Sequence, residues 1–113
     1  MATVEQCRAA LEELSAKMGR AEGDTAKAAR LDRSLSCRLT DLQVTFAGRL
    51  RDGALHDITT EPRPDKAQIR LTMTGDDLIA LVAGDLNFAG AWAKGRLKLE
   101  ASFKDLLVLR KLL

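Results

Sequence analysis

The sequence predicts an α+β fold, in which a mainly antiparallel sheet of about five strands carries helices on one face. Near the N-terminus, apolar residues recur every three or four positions, as they do along one face of a helix. From Leu35 onward they recur at every second position, as they do in strands with one buried face. In the second half, short segments of both kinds alternate between Gly, Pro and capping residues.

The first predicted element is a helix. Thr3 can cap it, and Gln6, three residues later, completes a capping box. Its apolar face consists of Val4, Cys7, Leu11, Leu14 and Met18, and Gly19 ends it. Residues 20–33 are polar and rich in Ala, which predicts a connection with room for a short helix capped by Asp24.

Two strands are predicted next, at residues 35–40 and 44–51, and a tight turn at Asp52-Gly53 leads to a third. The register of this third strand has two solutions. A two-residue turn places Leu55 on the face of Leu50, whereas a turn with a bulge places His56 and Ile58 there. We favour the bulged turn, because it buries Ile58 opposite Phe46.

Pro62 and Pro64 interrupt the chain before a fourth strand at residues 67–74. A helix follows, capped by Thr74, with Asp76 and Asp77 in its first turn and Gly84 at its end. The remaining elements are a short helix at 87–94 ended by Gly95, a strand at 96–101 and a final helix from Ser102, which pairs with Asp105 in a second capping box.

Composition excludes several classes of function. Charges of both signs alternate along the chain and the net charge is only +2, so no basic stripe predicts a nucleic-acid partner. No apolar run is long enough to span a membrane, and no signal peptide is predicted. Cys7 and Cys37 lack metal-site spacing and fall on apolar stripes, which is typical of buried thiols in the cytoplasm.

Residues from Ile69 onward resemble the sterol-carrier-protein family (type two). The matching pieces are IRLTMT, DDLIALVAG, GDLNFAGAWAKG, RLKLEA and the Leu-rich final helix, with Gly84, Asn87, Phe88 and Gly95 the most diagnostic. The first helix and the three strands fit the same topology. The chain is therefore identified as a stand-alone member of bacterial type, with residues 1–113 forming a single lipid-binding domain.

The resemblance implies an apolar tunnel between sheet and helices that holds a fatty acid, an acyl thioester or a sterol. It implies no metal, no cofactor and no catalytic residue, so the chain is expected not to be an enzyme. The predicted tunnel wall consists of Phe46, Ile58, Leu71, Met73, Leu78, Leu81, Val82, Phe88, Trp92, Leu99, Phe103, Leu106, Leu107 and Leu109. The alternative is an accessory or dimerisation module with a closed cavity that serves a partner enzyme.

Four polar features of the sequence are candidates for chemical sites. His56 is the only histidine and lacks a partner motif, and Asp76 and Asp77 fit a helix cap better than a catalytic pair. The segment GAWAKGR lacks the Lys-Ser/Thr that a phosphate loop needs after its second Gly. Arg110 falls within the apolar arc of the final helix, where it either extends to water or binds a lipid carboxylate.

Overall fold

The chain folds around a sheet of five strands. The computed structural model describes residues 2–19, 31–62 and 65–110. Its elements are α1 (Val4–Gly19), β1 (Arg33–Leu39), β2 (Val44–Arg51), β3 (Ala54–Thr59), β4 (Ile69–Met73), α2 (Gly75–Ala83), α3 (Phe88–Ala93), β5 (Lys98–Glu100) and α4 (Phe103–Arg110). The helix considered after Asp24 falls outside the described residues.

The strand order in the sheet is β3-β2-β1-β4-β5. Strands β1 and β4 are parallel, and every other neighbouring pair is antiparallel. The chain therefore passes from the edge strand β3 to β4, which lies on the far side of β2 and β1. The predicted α+β fold with a mainly antiparallel sheet is confirmed.

One face of the sheet forms the apolar core with the helices. Leu39 and Phe46 are fully buried there, and Cys37 pairs with Phe46 across β1 and β2. Cys7 and Leu11 of α1 pack against these side chains. Burial raises the pKa of the Cys37 thiol to about 12, so this group stays protonated within the core.

The turn between β2 and β3 is not the bulged turn that the sequence favoured. Asp52 and Gly53 have φ of 53° and 77°, and Arg51 pairs with Ala54, so the turn has two residues and Leu55 lies opposite Leu50. The bulge occurs further along, where Asp57 adopts φ of 56°. The extra residue restores Ile58 to the core face, so Leu55 and Ile58 both pack inward.

Predicted caps position α1 and α2. Thr3 and Gln6 exchange hydrogen bonds of 2.9 and 3.1 Å, which confirms the capping box. Thr74 Oγ1 accepts a hydrogen bond from the Asp77 amide, and Gly84 ends α2 with φ of 86°. Gly75 allows α1 to lie against α2, because a Cβ there would stand 3.0 Å from Cys7 Sγ.

The start of α4 departs from the predicted capping box. The Asp105 amide donates to Ser102 Oγ at 3.2 Å, as expected. The Asp105 carboxylate, however, accepts a hydrogen bond from Arg33 Nε at 2.9 Å instead of turning back to the Ser102 amide. This ion pair holds α4 against β1. It turns Asp105 toward the protein interior, while Phe103 and Leu107 are exposed.

Candidate functional site

The candidate site is the apolar layer that α2 and α3 form over the sheet. Its floor consists of the buried side chains of Phe46 and Met73 from the sheet and of Leu78 and Val82 from α2. These four belong to one contiguous core cluster. The amphipathic spacing of α2 produces this arrangement, because residues 78 and 82 stand four apart on one helix face.

Half-buried apolar side chains surround this floor. Leu71, Leu81, Phe88 and Trp92 all pack against the buried cluster while retaining contact with solvent. The rings of Phe88 and Trp92 meet edge to face, with centroids 6.1 Å apart and an interplanar angle of 68°. Asn87 caps α3, the helix that carries both rings, because its side-chain oxygen accepts a hydrogen bond from the Gly90 amide.

The other predicted wall residues are spread more widely. Ile58 joins the main cluster from β3, whereas Leu99 packs in a second cluster with Leu50 and Ile69. Leu106 is half-buried. Phe103 and Leu107 are exposed rather than turned inward. The side chains of Leu109 and Arg110 lie outside the described part of the structure, so the head-group role of Arg110 stays a prediction.

The space between α1 and the sheet is closely filled. A cavity of about 10 Å³ lies among Leu11, Leu35, Cys37, Phe46, Ala47, Gly48, Leu55 and Ile58. A cavity of this volume can hold at most about one water molecule and cannot hold an alkyl chain. An alkyl ligand in this cavity would therefore require α1 to move away from the sheet.

A much larger depression, of about 950 Å³, lies on the opposite face of the sheet. Its floor contains Ser34, Ser36 and Thr45, and Arg49 and Arg70 lie at its sides. Leu35, Ala47, Pro62 and Ala67 also line it, so this groove mixes hydroxyl and guanidinium groups with apolar side chains. The apolar layer on the helical face is the better match to an apolar ligand.

Arg8 is a core contact that the sequence analysis missed. Its guanidinium carbon lies 5.3 Å from the centroid of the Phe46 ring, and Nη1 donates to the Ile58 carbonyl at 3.1 Å. It therefore places a cation at the edge of the apolar layer. The signal was present in the sequence, since Arg8 stands four residues after Val4 and three before Leu11 on the apolar stripe.

The polar residues that are candidates for chemical sites have structural partners. His56 Nε2 lies 3.0 Å from the Arg51 carbonyl oxygen across the hairpin. Asp76 accepts a hydrogen bond from the Ala2 amide at 2.7 Å, and Asp77 forms an ion pair with Arg96. Within ranges 2–19, 31–62 and 65–110, no three His, Cys, Asp or Glu side chains are grouped to hold a metal. No helix there is long and apolar enough to cross a membrane.

Residues 21–113 match the family model described as alkyl sulfatase C-terminal. The chain belongs to the alkyl sulfatase C-terminal family. No curated protein matches it. The stereoselective inverting sec-alkylsulfatase Pisa1 from Pseudomonas sp. shares this domain, with 25% identity and a TM-score of 0.59 over 90% of this chain. The chain spans only 16% of that enzyme and 17% of its double mutant.

The alkyl sulfatase C-terminal domain also shares its fold with sterol carrier proteins, which confirms the resemblance predicted from the sequence. Sterol Carrier Protein 2 Like 2 from Aedes aegypti superimposes with a TM-score of 0.65 at 14% identity, over 96% of this chain and 97% of that one. A palmitated SCP2L2 from the same organism gives 0.61 at 13% identity, over 98% and 94%. At these identities the likeness establishes the fold alone.

Proposed function

We propose that residues 1–113 form a single domain that binds a long alkyl chain, as found in fatty acids and other lipid-like amphiphiles, without catalysing a reaction on it. The alkyl chain of the ligand would lie between the sheet and helices α2 and α3. Membership of the alkyl sulfatase C-terminal family supports an apolar tail as the ligand. The palmitated form of the Aedes protein supports a fatty acyl chain in the same fold.

The observation that carries the proposal is the half-buried ring of apolar side chains around a buried apolar floor. Leu81, Phe88 and Trp92 border solvent on one side and the core cluster on the other. An alkyl chain that entered there would meet apolar atoms throughout. Each methylene removed from water contributes about 0.8 kcal/mol, which amounts to roughly 10 kcal/mol for a twelve-carbon chain before ordering costs.

Part of this driving force is needed to separate the helices from the sheet, because Leu78 and Val82 of α2 are buried in the core cluster. We propose that α2 and α3, which are short, move as a pair when the ligand enters. Desolvation is then the mechanism of binding, and polar groups only orient the ligand's head. Transfer follows from the same reversibility, since no covalent bond to the ligand forms or breaks.

A second candidate function is an accessory module whose cavity stays closed and which serves a partner enzyme. The volume of about 10 Å³ between α1 and the sheet favours it. So does the size of the sec-alkylsulfatase chains, in which this domain accounts for 16 to 17% of the length. For either function we propose the cytoplasm as the location, because the described Cys7 and Cys37 are buried free thiols.

Calorimetric titration of the delipidated protein with long-chain fatty acids and alcohols distinguishes the two. The Leu81→Gln variant places a polar amide in the half-buried ring and is expected to weaken binding at least about tenfold. Leu14→Gln is the matched control, because Leu14 packs against the same core from α1 and is also half-buried. No binding by the parent would favour the closed module, and equal affinities in both variants and the parent would place the ligand away from the half-buried ring.

A further inference from the structure

The face of the sheet away from the helices carries two arginines around a pair of serines. In the register of the strands, Ser34 of β1 lies opposite Arg49 of β2, and Ser36 lies level with Arg70 of β4. Neighbouring strands stand about 4.8 Å apart, and residues two apart on one strand share a face. The two arginines therefore stand on opposite sides of β1 with both serines between them, and all four line the groove of about 950 Å³.

Contacts with the protein hold both guanidinium groups in place without using all of their donors. Arg49 Nε donates to Asp32 Oδ1 at 2.6 Å, and no hydrogen bond within the described ranges uses Nη1 or Nη2 of Arg49. Arg70 Nη1 donates to the Ala67 carbonyl at 2.8 Å, whereas Nη2 lies 3.4 Å from Glu100 Oε2. Because each guanidinium presents five N–H donors in one plane, donors remain for a ligand.

One of these donors is both buried and unpaired. Arg70 Nε is shielded from solvent and has no hydrogen-bond partner among the residues that the structure describes. A buried donor of this kind is uncommon, because it has lost its bonds to water and gained none in return. Nε adjoins Nη2 on the edge of the guanidinium that binds oxyanions through two parallel N–H groups. An oxyanion that replaced the long contact to the exposed Glu100 would accept from both.

The positive charge of the groove lies on the sheet. The described lining contains three basic side chains, those of Arg49, Lys66 and Arg70, and two acidic ones, those of Glu61 and Asp65. Both acidic residues belong to the connection after β3, whereas both arginines belong to strands. The arginine side chains are only 42% and 27% exposed, so water screens them in part. An anion seated on the sheet therefore meets two guanidinium groups and the serine hydroxyls between them.

The groove also has an apolar part, to which Ala47, Pro62 and Ala67 contribute. Its volume lies within the range of small-molecule sites, about 300–1,000 Å³. A ligand that matches this lining combines a charged head with a small apolar body. We propose that the groove binds a small organic oxyanion, namely a carboxylate or a sulfate or phosphate ester, with its head between Arg49 and Arg70. This site lies on the opposite face of the sheet from the proposed alkyl layer and does not depend on it.

Calorimetric titration with phenyl sulfate, phenyl phosphate and benzoate tests the site. At least one of them should bind, and the tightest identifies the preferred head group. The matching inorganic anion should bind at least about tenfold more weakly because it lacks the ring, and benzyl alcohol should not bind because it lacks the charge. Trp92 emission should stay constant, since Trp92 packs in the apolar layer on the other face. No binding of any oxyanion, equal binding of benzyl alcohol, or a shift in Trp92 emission would overturn the proposal.

A matched pair of arginine variants locates the site. Arg70→Gln should weaken binding of the tightest probe at least about tenfold. Arg51→Gln removes the same charge from the same face of β2, outside the groove lining, and should change affinity less than about twofold at about 0.15 M salt. Ser36→Ala keeps every charge and should weaken binding about fivefold, and it decides the matter if Arg70→Gln does not fold. Equal losses in the two arginine variants, or unchanged affinity in Ser36→Ala, would contradict a site between Arg49 and Arg70.

Discussion

Arg33 and Asp105 form an ion pair that joins the first strand to the last helix across 72 positions of sequence. Arg33 Nε lies 2.9 Å from Asp105 Oδ2, and the Asp105 side chain is 5% exposed. The hydrogen bond from Arg33 is the main reason that the pKa of Asp105 lies below its usual value. Stability and pH are therefore linked through this carboxylate.

Asp105→Asn is expected to destabilise the protein by about 2 kcal/mol at neutral pH, because it removes a charge-assisted hydrogen bond at a buried site. The lowered pKa in the folded state means that the contribution is complete above the unfolded value of about 3.9. It is lost as the pH falls through the folded value. Urea unfolding of both proteins at several pH values should show their stability difference narrowing in acid.

Glu100→Gln is the control for that prediction. Glu100 also pairs with an arginine, Arg70, but at 3.4 Å and with its side chain 57% exposed. Exposed pairs of this kind contribute little, so the change should cost less than about 1 kcal/mol. A loss as large as that of Asp105→Asn, or no loss in either variant, would refute the special role of the Arg33–Asp105 pair.

Gly48→Ala tests the bulge in β3. A Cβ at position 48 would stand 3.0 Å from the His56 carbonyl oxygen, which is backbone and cannot rotate away. The substitution should destabilise the protein by about 1–3 kcal/mol. The loss is measured by thermal or urea unfolding.

Gly90→Ala is the matched substitution in α3. The nearest atoms to its Cβ would be those of Asn87, at 3.8 Å, which is ordinary contact. Alanine is also the better helix former by about 1 kcal/mol, so stability should stay the same or rise. If Gly48→Ala cost no more stability than Gly90→Ala, that result would contradict the close approach of β2 to the His56 carbonyl group of β3.

Most of the fold could be predicted from the sequence, because the residues that start, turn and end its elements lie close together in the chain. The caps at Thr3 and Thr74, the turn at Asp52-Gly53 and the stop at Gly84 each depend on a few neighbouring residues. The bulge at Asp57 was placed at the turn instead, since alternation alone does not show where an extra residue is inserted. The parallel pairing of β1 with β4 is a long-range contact that no local pattern specifies.

The candidate site was predicted less completely. Apolar spacing placed Leu78, Leu81, Val82, Phe88 and Trp92 around one cluster, as observed. The same spacing turned Phe103 and Leu107 inward, where the structure exposes them. The reason is the ion pair between Arg33 and Asp105, which sets the rotation of α4 and depends on a residue in a different element. The volume of a cavity also could not be predicted from the sequence, because it depends on how closely the helices approach the sheet.

Trp92 provides a direct reporter of the candidate site. It is the only tryptophan, and the chain has no tyrosine to compete with its emission. Because Trp92 is half-buried beside Phe88, an alkyl chain bound there should move its emission to the blue or change its intensity. Fluorescence during a titration measures this. A spectrum that stays constant while calorimetry records binding would place the ligand away from α3.

The central claim, that the domain binds alkyl chains in its apolar layer, is tested most directly by thermal unfolding of the delipidated protein with alcohols and fatty acids of increasing length. A ligand at about a hundredfold above its Kd adds about 2.7 kcal/mol to the folded state. For a domain of this size, that raises the midpoint by roughly 10 °C. Each added methylene should increase affinity about fourfold, in keeping with about 0.8 kcal/mol of burial. A midpoint that stays the same with every ligand, in protein shown to be folded and free of lipid, would contradict the claim and favour the closed accessory module.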